Sequence, residues 1–315
     1  MGSAAAYHCA CAGLRTLLVE RHELSSGASG ANFGMVQVQD CEFGLSLELT
    51  VESFRLHRTL EAELDWDFQQ RPMGYLLLID NEHQQSLMVE RAKALQAAGV
   101  GVQLLDHQGV GRLEPNLAPD TYLGALYHPD EAQLNPFALV RAYVARGQEH
   151  GLAVQLYTRV TGLQIAGGRV TGLETTAGPI TAGSVVLCTG AWTRELGLRI
   201  GLDFPLKWVH GEALVTEPLP RLLHNAMITA SFFETVHVED EEHDHQKDAP
   251  VVGFCLSPQP GGQVMIGETS LITDEIATHS TLGGMPAVAV EGVRRVPRLA
   301  QAKMLRTWAA SVLFT

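Results

Sequence analysis

Apolar positions along the chain fall into short buried-type runs that alternate with helical stripes. Ser3 to Ala12 is small-residue, helix-compatible sequence that Gly13 can end, and "RTLLVE" from Arg15 to Glu20 predicts a short strand. After a loop over Ser25 to Gly34, the residues Leu45, Leu49, Phe54, Leu56, Leu60 and Leu64 recur at spacings near three and four. They predict an amphipathic helix over Leu45 to Glu63. Met73 to Asp80 reads as a strand, and the sequence near Gln84 to Ala98 as a helix. Asn135 is placed to cap a helix whose first turn holds Pro136 and which Gly151 stops. From Leu152 to Trp192 short strands alternate with glycine turns and end in "SVVLCTG", read as a buried strand. The stretches "KWVHGEALVTEP", "PVVGFCLSP" and "GGQVMIGET" form a second β-rich region, followed by a helix around Pro286 to Val296.

A helix and strand, an interruption by other strands, and a return to a nucleotide-type strand predict an α/β protein with two interleaved domains. At 315 residues and 46% apolar content the chain is long enough to bury a substantial core. A net charge of −13 repels phosphate backbones and anionic lipid, which makes nucleic acid an unfavourable partner. With no apolar run of bilayer length and no secretion-signal pattern, the expected location is the cytoplasm. Cys9, Cys11, Cys41, Cys188 and Cys255 are scattered without a C-x-x-C pair, so they read as reduced packing thiols.

Candidate chemistry begins at Glu20, at the carboxyl end of the predicted strand, where a carboxylate can accept hydrogen bonds from both hydroxyls of an adenosine ribose. "SSGASGANFG", Ser25 to Gly34, offers backbone amides with little bulk and suits a large planar cofactor and its phosphates. His237, His243 and His245 mix with carboxylates between Glu234 and Asp248, but no fixed spacing aims them at one point, and no metal is expected. His210 is a candidate base, with a buried structural histidine as the favoured role. For Trp308 core packing is favoured.

A strand ending in Glu20-Arg21 followed by "SSGASGANFG" and "MVQVQD" resembles the FAD-dependent glycine/D-amino-acid oxidase (DAO) family. Further segments are similar along almost the whole chain: "GALYHPDEAQLNPFALVRA", "TRVTGL", "VVLCTGAWT", "PLKWVHGEALVTE", "GGQVMIGET" and "RRVPRLAQAKMLRTWAA". His210 and Glu212 depart from the family's P-x-K/R-G-Q strand. The branch it resembles holds opine oxidase and hydrogen cyanide synthase subunits and bacterial amino-acid dehydrogenases.

The resemblance implies a Rossmann-like FAD-binding domain over 1–72, 136–204 and 298–315, interleaved with an antiparallel-sheet substrate domain over 73–135 and 205–297. It implies cofactor contacts from Gly2, Glu20, Arg21, Ala28, Ser29, Asn32, Gly34, Met35, Val160, Thr189, Gly190 and Trp192. It further implies oxidation of a small amine or amino acid by hydride transfer to flavin, and a further subunit as a partner; it assigns no catalytic residue. Gly2 resembles the third glycine of G-x-G-x-x-G, so the first strand of that unit is expected upstream. Val312 stands where the family's substrate-binding Arg is expected, and the segment beyond it is expected to be missing, which would leave the chain inactive. Two rivals stay open: a noncatalytic interaction chain of the same fold, and an NAD-dependent dehydrogenase, which the βαβ remnant alone does not exclude.

Overall fold

The computed structural model describes residues 1–231, 233 and 251–314. The candidate metal ligands His237, His243 and His245 lie outside the described residues. In chain order the first elements are α1 (Gly2–Cys11), β1 (Leu17–Val19), α2 (Ala28–Ala31), β2 (Met35–Val36), α3 (Leu45–His57), α4 (Leu60–Leu64), β3 (Arg71–Pro72), β4 (Tyr75–Ile79) and α5 (Glu82–Ala97). Next come β5 (Gln103–Asp106), α6 (His107–Leu113), β6 (Gly124–His128), β7 (Ala132–Gln133), α7 (Pro136–Glu149), β8 (Ala153–Gln155), β9 (Val160–Ala166), β10 (Arg169–Thr175), β11 (Ile180–Thr181) and α8 (Thr193–Arg199). β12 (Lys207–Thr216), β13 (Ala226–Thr229), β14 (Val251–Pro258), β15 (Val264–Thr273), α9 (Gly284–Arg295) and β16 (Met304–Phe314) complete the described chain.

β1 and β8 pair in parallel, and β9 to β11 form a three-stranded antiparallel sheet. The largest sheet has eight strands in the order β16-β12-β15-β14-β13-β4-β6-β5. It is antiparallel except where β13 runs parallel to β4. β4 reads "YLLLI" without alternation because both of its faces are covered. Leu76 and Leu78 join the core under α6 and α9, while Tyr75, Leu77 and Ile79 join the core shared with α5. Among the described residues no helix is long and apolar enough to cross a membrane.

The predicted starts and stops hold at α7: the Asn135 side chain accepts from the amides of Phe137 and Ala138, and Gly151 follows the helix with φ +85°. Two expectations fail. "SVVLCTG" forms no strand and is not buried; Val186 is 69% exposed. A strand needs a ladder partner, and this extended segment gains none among the described residues; its Cys188 lies instead against the start of α1, with Cβ 3.3 Å from where a side chain on Gly2 would begin. The second failure is the helix expected over Leu45 to Glu63, which breaks into α3 and α4. Leu60 and Leu64 are buried, but Leu45, Leu49 and Leu56 are exposed, and Leu47 turns inward instead. The break at Arg58 and Thr59 ends the single helical phase on which the stripe depended.

β16 comes from the 298–315 segment grouped by sequence with the cofactor-binding parts, yet it pairs along β12 at the edge of the large sheet. It also reaches the other side, since the indole N–H of Trp308 donates to the Ala31 carbonyl at 2.8 Å.

Candidate functional site

A cleft of about 400 Å³ opens at the carboxyl end of β1. Glu20 follows β1 directly and is fixed by its backbone: its amide donates to the Gln155 carbonyl, and its own carbonyl accepts from Thr158 N. One carboxylate oxygen accepts from the His22 amide at 2.9 Å; the other accepts no hydrogen bond among the described residues. The Arg21 guanidinium lies 3.8 Å from the centre of the Trp192 ring, close enough for a cation–π contact. Across the cleft, Glu195 on α8 pairs with Arg159 at 3.1 Å and Arg199 at 2.8 Å.

The loop after β1 turns through α2, and Asn32 holds its shape. Its amide nitrogen donates to the Ala28 and Ser29 carbonyls, and its oxygen accepts from Gly34 N at 2.8 Å. Gly34 has φ +72°, and a Cβ there would stand 2.1 Å from the Leu134 carbonyl oxygen. Only glycine fits such a turn.

The structure brings eight of the sequence-predicted residues to the cleft wall: Glu20, Arg21, Ala28, Ser29, Val160, Thr189, Gly190 and Trp192. Gly2 stands behind Cys188, which lines the cleft. Asn32 and Gly34 shape the loop, and Met35 faces a separate groove of about 320 Å³ beside α3. Sequence reasoning missed Arg159, Glu195 and Arg199, although the i, i+4 charge pair of Glu195 and Arg199 was a usable signal. It also missed Thr278 and Ser311, which long-range strand pairing brings to the same wall.

The residues lining this cleft have the chemistry to hold the ribose and phosphates of a dinucleotide. The Ser25 hydroxyl is buried there and has no hydrogen-bond partner among the described residues, a cost that a polar ligand would relieve. Beside it stand the open oxygen of Glu20 and the small residues of α2.

His210 is not at the cleft wall. It is 2% exposed, bonds through Nε2 to the His279 carbonyl at 3.0 Å, and lies 3.9 Å from Glu212, which in turn accepts from the amide and hydroxyl of Thr281. Trp308 is half-buried, bonded to the α2 loop and edge-on to Phe33.

Four carboxyls, Asp40, Glu114, Glu131 and Glu268, lie in low-dielectric surroundings that raise them. Burial pushes Asp40 up to about 7, with the Glu131 charge adding to it, and burial alone pushes Glu268 up to about 7. Glu114 also rises to about 7, because burial outweighs the donors it receives from Asn225 and His224. In the folded chain these groups keep protons that unfolded carboxyls, with values of about 4, have already released. The stability they contribute is therefore fully present below about pH 4 and is lost as pH rises through about 7. The midpoint of thermal unfolding of the purified chain is expected to fall between about pH 5 and about pH 7.5, and Glu268→Gln to flatten the fall. A midpoint that rises over this window would contradict the assignment.

The family model described as DAO, FAD dependent oxidoreductase, matches residues 1–313. The chain is similar to the hydrogen cyanide synthase subunit HcnC of Pseudomonas protegens, with 30% identity over 260 residues, 81% of this chain and 56% of the relative. Similarity to glycine oxidase of Geobacillus kaustophilus is 27% over 317 residues, 98% of this chain and 77% of the relative. The crystal structure of glycine oxidase from Geobacillus kaustophilus matches with a TM-score of 0.84 at 25% identity, over 100% of this chain and 80% of that one. The chain spans little more than half the length of the HcnC relatives it matches, 56% and 59%.

Proposed function

We propose that this chain, which belongs to the DAO family of FAD-dependent oxidoreductases, oxidises the carbon–nitrogen bond of an amino acid or secondary amine. The observation that supports it best is the cleft at the end of β1, with the buried Ser25 hydroxyl, unpartnered among the described residues, and the half-free Glu20 carboxylate, in a chain similar to a glycine oxidase.

In this reading Glu20 accepts hydrogen bonds from the ribose hydroxyls, and Arg21, braced on Trp192, borders the adenosine together with Val160. Ala28, Ser29, Thr189 and Gly190 let backbone approach the phosphates, Gly2 opens the helix behind them, and Asn32, Gly34 and Met35 carry the loop toward the large sheet. When bound, the flavin supplies the two-electron acceptor. The substrate C–N bond loses two electrons and two protons to become an imine, which water hydrolyses to a carbonyl compound and ammonia, or a primary amine where the substrate was a secondary one. The chain's own part is to hold and orient the two reactants. A cytoplasmic location belongs to the same reading.

A second reading, an interaction subunit of the same fold, draws support from β16, an edge strand on which Met304 and Leu305 are 56% and 61% exposed. The deciding measurement is the visible absorbance of the purified chain before and after adding FAD and removing the excess, followed by anaerobic addition of glycine, proline and dimethylglycine. A retained flavin spectrum bleached by one of these supports the oxidoreductase. A folded, colourless chain after FAD supports the interaction subunit.

A further inference from the structure

The connection from β15 to α9 crosses a neighbouring strand on its way. β15 ends at Thr273 on one side of β12, and β16 lies on the other side. Residues 274–283 leave β15, pass over the face of β12 as far as β16, and return to the start of α9 at Gly284. On that face the register sets Ser311 of β16 directly opposite His210 of β12, and Glu212 follows two residues after His210. With a side-chain period of two, all three project from the same face.

Those three side chains hold the crossing segment. The Ser311 hydroxyl accepts from the Ala277 amide and donates to the Ala277 carbonyl, both at 2.9 Å. His210 Nε2 lies 3.0 Å from the His279 carbonyl, which can only accept, so this nitrogen carries the proton. The Glu212 carboxylate accepts from the Thr281 amide at 2.7 Å and from the Thr281 hydroxyl at 2.8 Å. The same hydroxyl accepts from Gly284 N, which ties the end of the segment to the first turn of α9.

The backbone itself contributes little to this attachment. Among the described residues, no backbone-to-backbone hydrogen bond involves 274–280. Besides the three side chains, Thr273 donates its hydroxyl to the Glu275 carbonyl. A segment held in this way can open locally while the sheet beneath it stays paired. Opening would also return His210 and Glu212, 2% and 1% exposed, to water, which replaces the bonds they lose. The attachment therefore has the character of a latch: specific when closed, and reversible.

The middle of this strap stands at the cofactor cleft. Thr278 lies between Ala277 and His279, both of which are pinned, and it lines the cleft together with Ser311, Trp192 and the residues Ser25 to Ser29. His210, Glu212 and Thr281 do not line the cleft, so they reach it only through the strap.

We propose that residues 274–281 form a latched strap that walls the cofactor cleft, with His210, Glu212 and Ser311 as positioning residues that set Thr278 against the bound cofactor. The inference rests on the reading of that cleft as the FAD site. Cofactor held against Thr278 favours the latched arrangement, and by linkage the latched arrangement favours the cofactor.

The test is hydrogen–deuterium exchange of the purified chain, read at the amides of 275–281 before and after FAD addition, with release of FAD followed by its fluorescence. FAD is expected to slow exchange along the strap about fivefold or more. Exchange in the turn at Gly99–Gly101, far from the strap in sequence and outside the cleft wall, is expected to stay as it was. Thr281→Val removes the hydroxyl bond to Glu212 and should speed strap exchange in the flavin-free chain about tenfold, and FAD release by a similar factor. Thr281→Ser keeps the hydroxyl and is expected to restore both rates. Strap exchange that FAD leaves unchanged overturns the proposal without any variant. So does a Thr281→Val chain that loosens the strap yet releases FAD at the original rate, or a Thr281→Ser chain that behaves like the valine variant. Retained FAD that an amino acid bleaches, with a strap indifferent to FAD, sinks this inference alone. A chain that takes up no FAD overturns the oxidoreductase reading and this proposal with it, even where Thr281→Val loosens the strap.

Discussion

Replacing Gly34 with alanine is expected to cost the chain both its cofactor loop and a large part of its stability. Gly34 has φ +72°, a conformation that costs an L-residue about 1–2 kcal/mol. The added methyl would stand 2.1 Å from the Leu134 carbonyl oxygen, which belongs to backbone and has no rotamer by which to withdraw. Leu134 also donates its amide to the Gly34 carbonyl, so the two strands would have to separate. Together these effects come to roughly 3–5 kcal/mol. Because Asn32 reads its turn through the Gly34 amide, the Ala28–Asn32 loop should loosen at the same time. Thermal unfolding should move down by on the order of 10 °C, and added FAD should not be retained. A variant that melts within about 2 °C of the original and keeps FAD would refute this account of the loop.

Arg295→Met is expected to be of similar severity, for an electrostatic reason. The guanidinium is 2% exposed and donates to both oxygens of Asp80, at 2.9 and 2.6 Å, to Glu291 at 2.7 Å and to the Thr121 carbonyl at 2.8 Å. It ties α9 to the residue that follows β4. A methionine fills much of the volume but leaves the Asp80 carboxylate and the Thr121 carbonyl facing an apolar side chain, while Glu291 keeps its bonds from Arg294. Breaking a buried pair by removing one partner costs about 3–5 kcal/mol. Adding Asp80→Asn to Arg295→Met should recover part of the loss, because the stranded charge is then gone. Denaturant unfolding of the single and double variants checks this. If the double variant is as unstable as the sum of its parts, the interaction is not the source of the stability.

The elements most legible in the sequence were those with local signals. Asn135 and Pro136 announced α7, and the apolar run at β4 announced a strand. Glu20 and the small-residue loop announced the cleft, because strand, carboxylate and glycines are consecutive in the chain. What escaped was set by partners distant in sequence. "SVVLCTG" has the composition of a buried strand, but composition does not supply a ladder partner. The leucines of α3 and α4 kept their spacing while the break at Arg58 and Thr59 changed the direction they face. Asp40, Glu114 and Glu268 escaped for the same reason, since the burial that raises each of them comes from elements far apart in the chain.

The hydrogen bond from Trp308 to Ala31 has a consequence for the order of events in the cell. Its partners are 277 residues apart. The α2 loop is made before its anchor on β16, which follows only after β12, β14 and β15. Contacts of such long range are late and slow to form. The loop must therefore stay unclamped until β16 is made, a demand that its serines and glycines meet better than an apolar loop would.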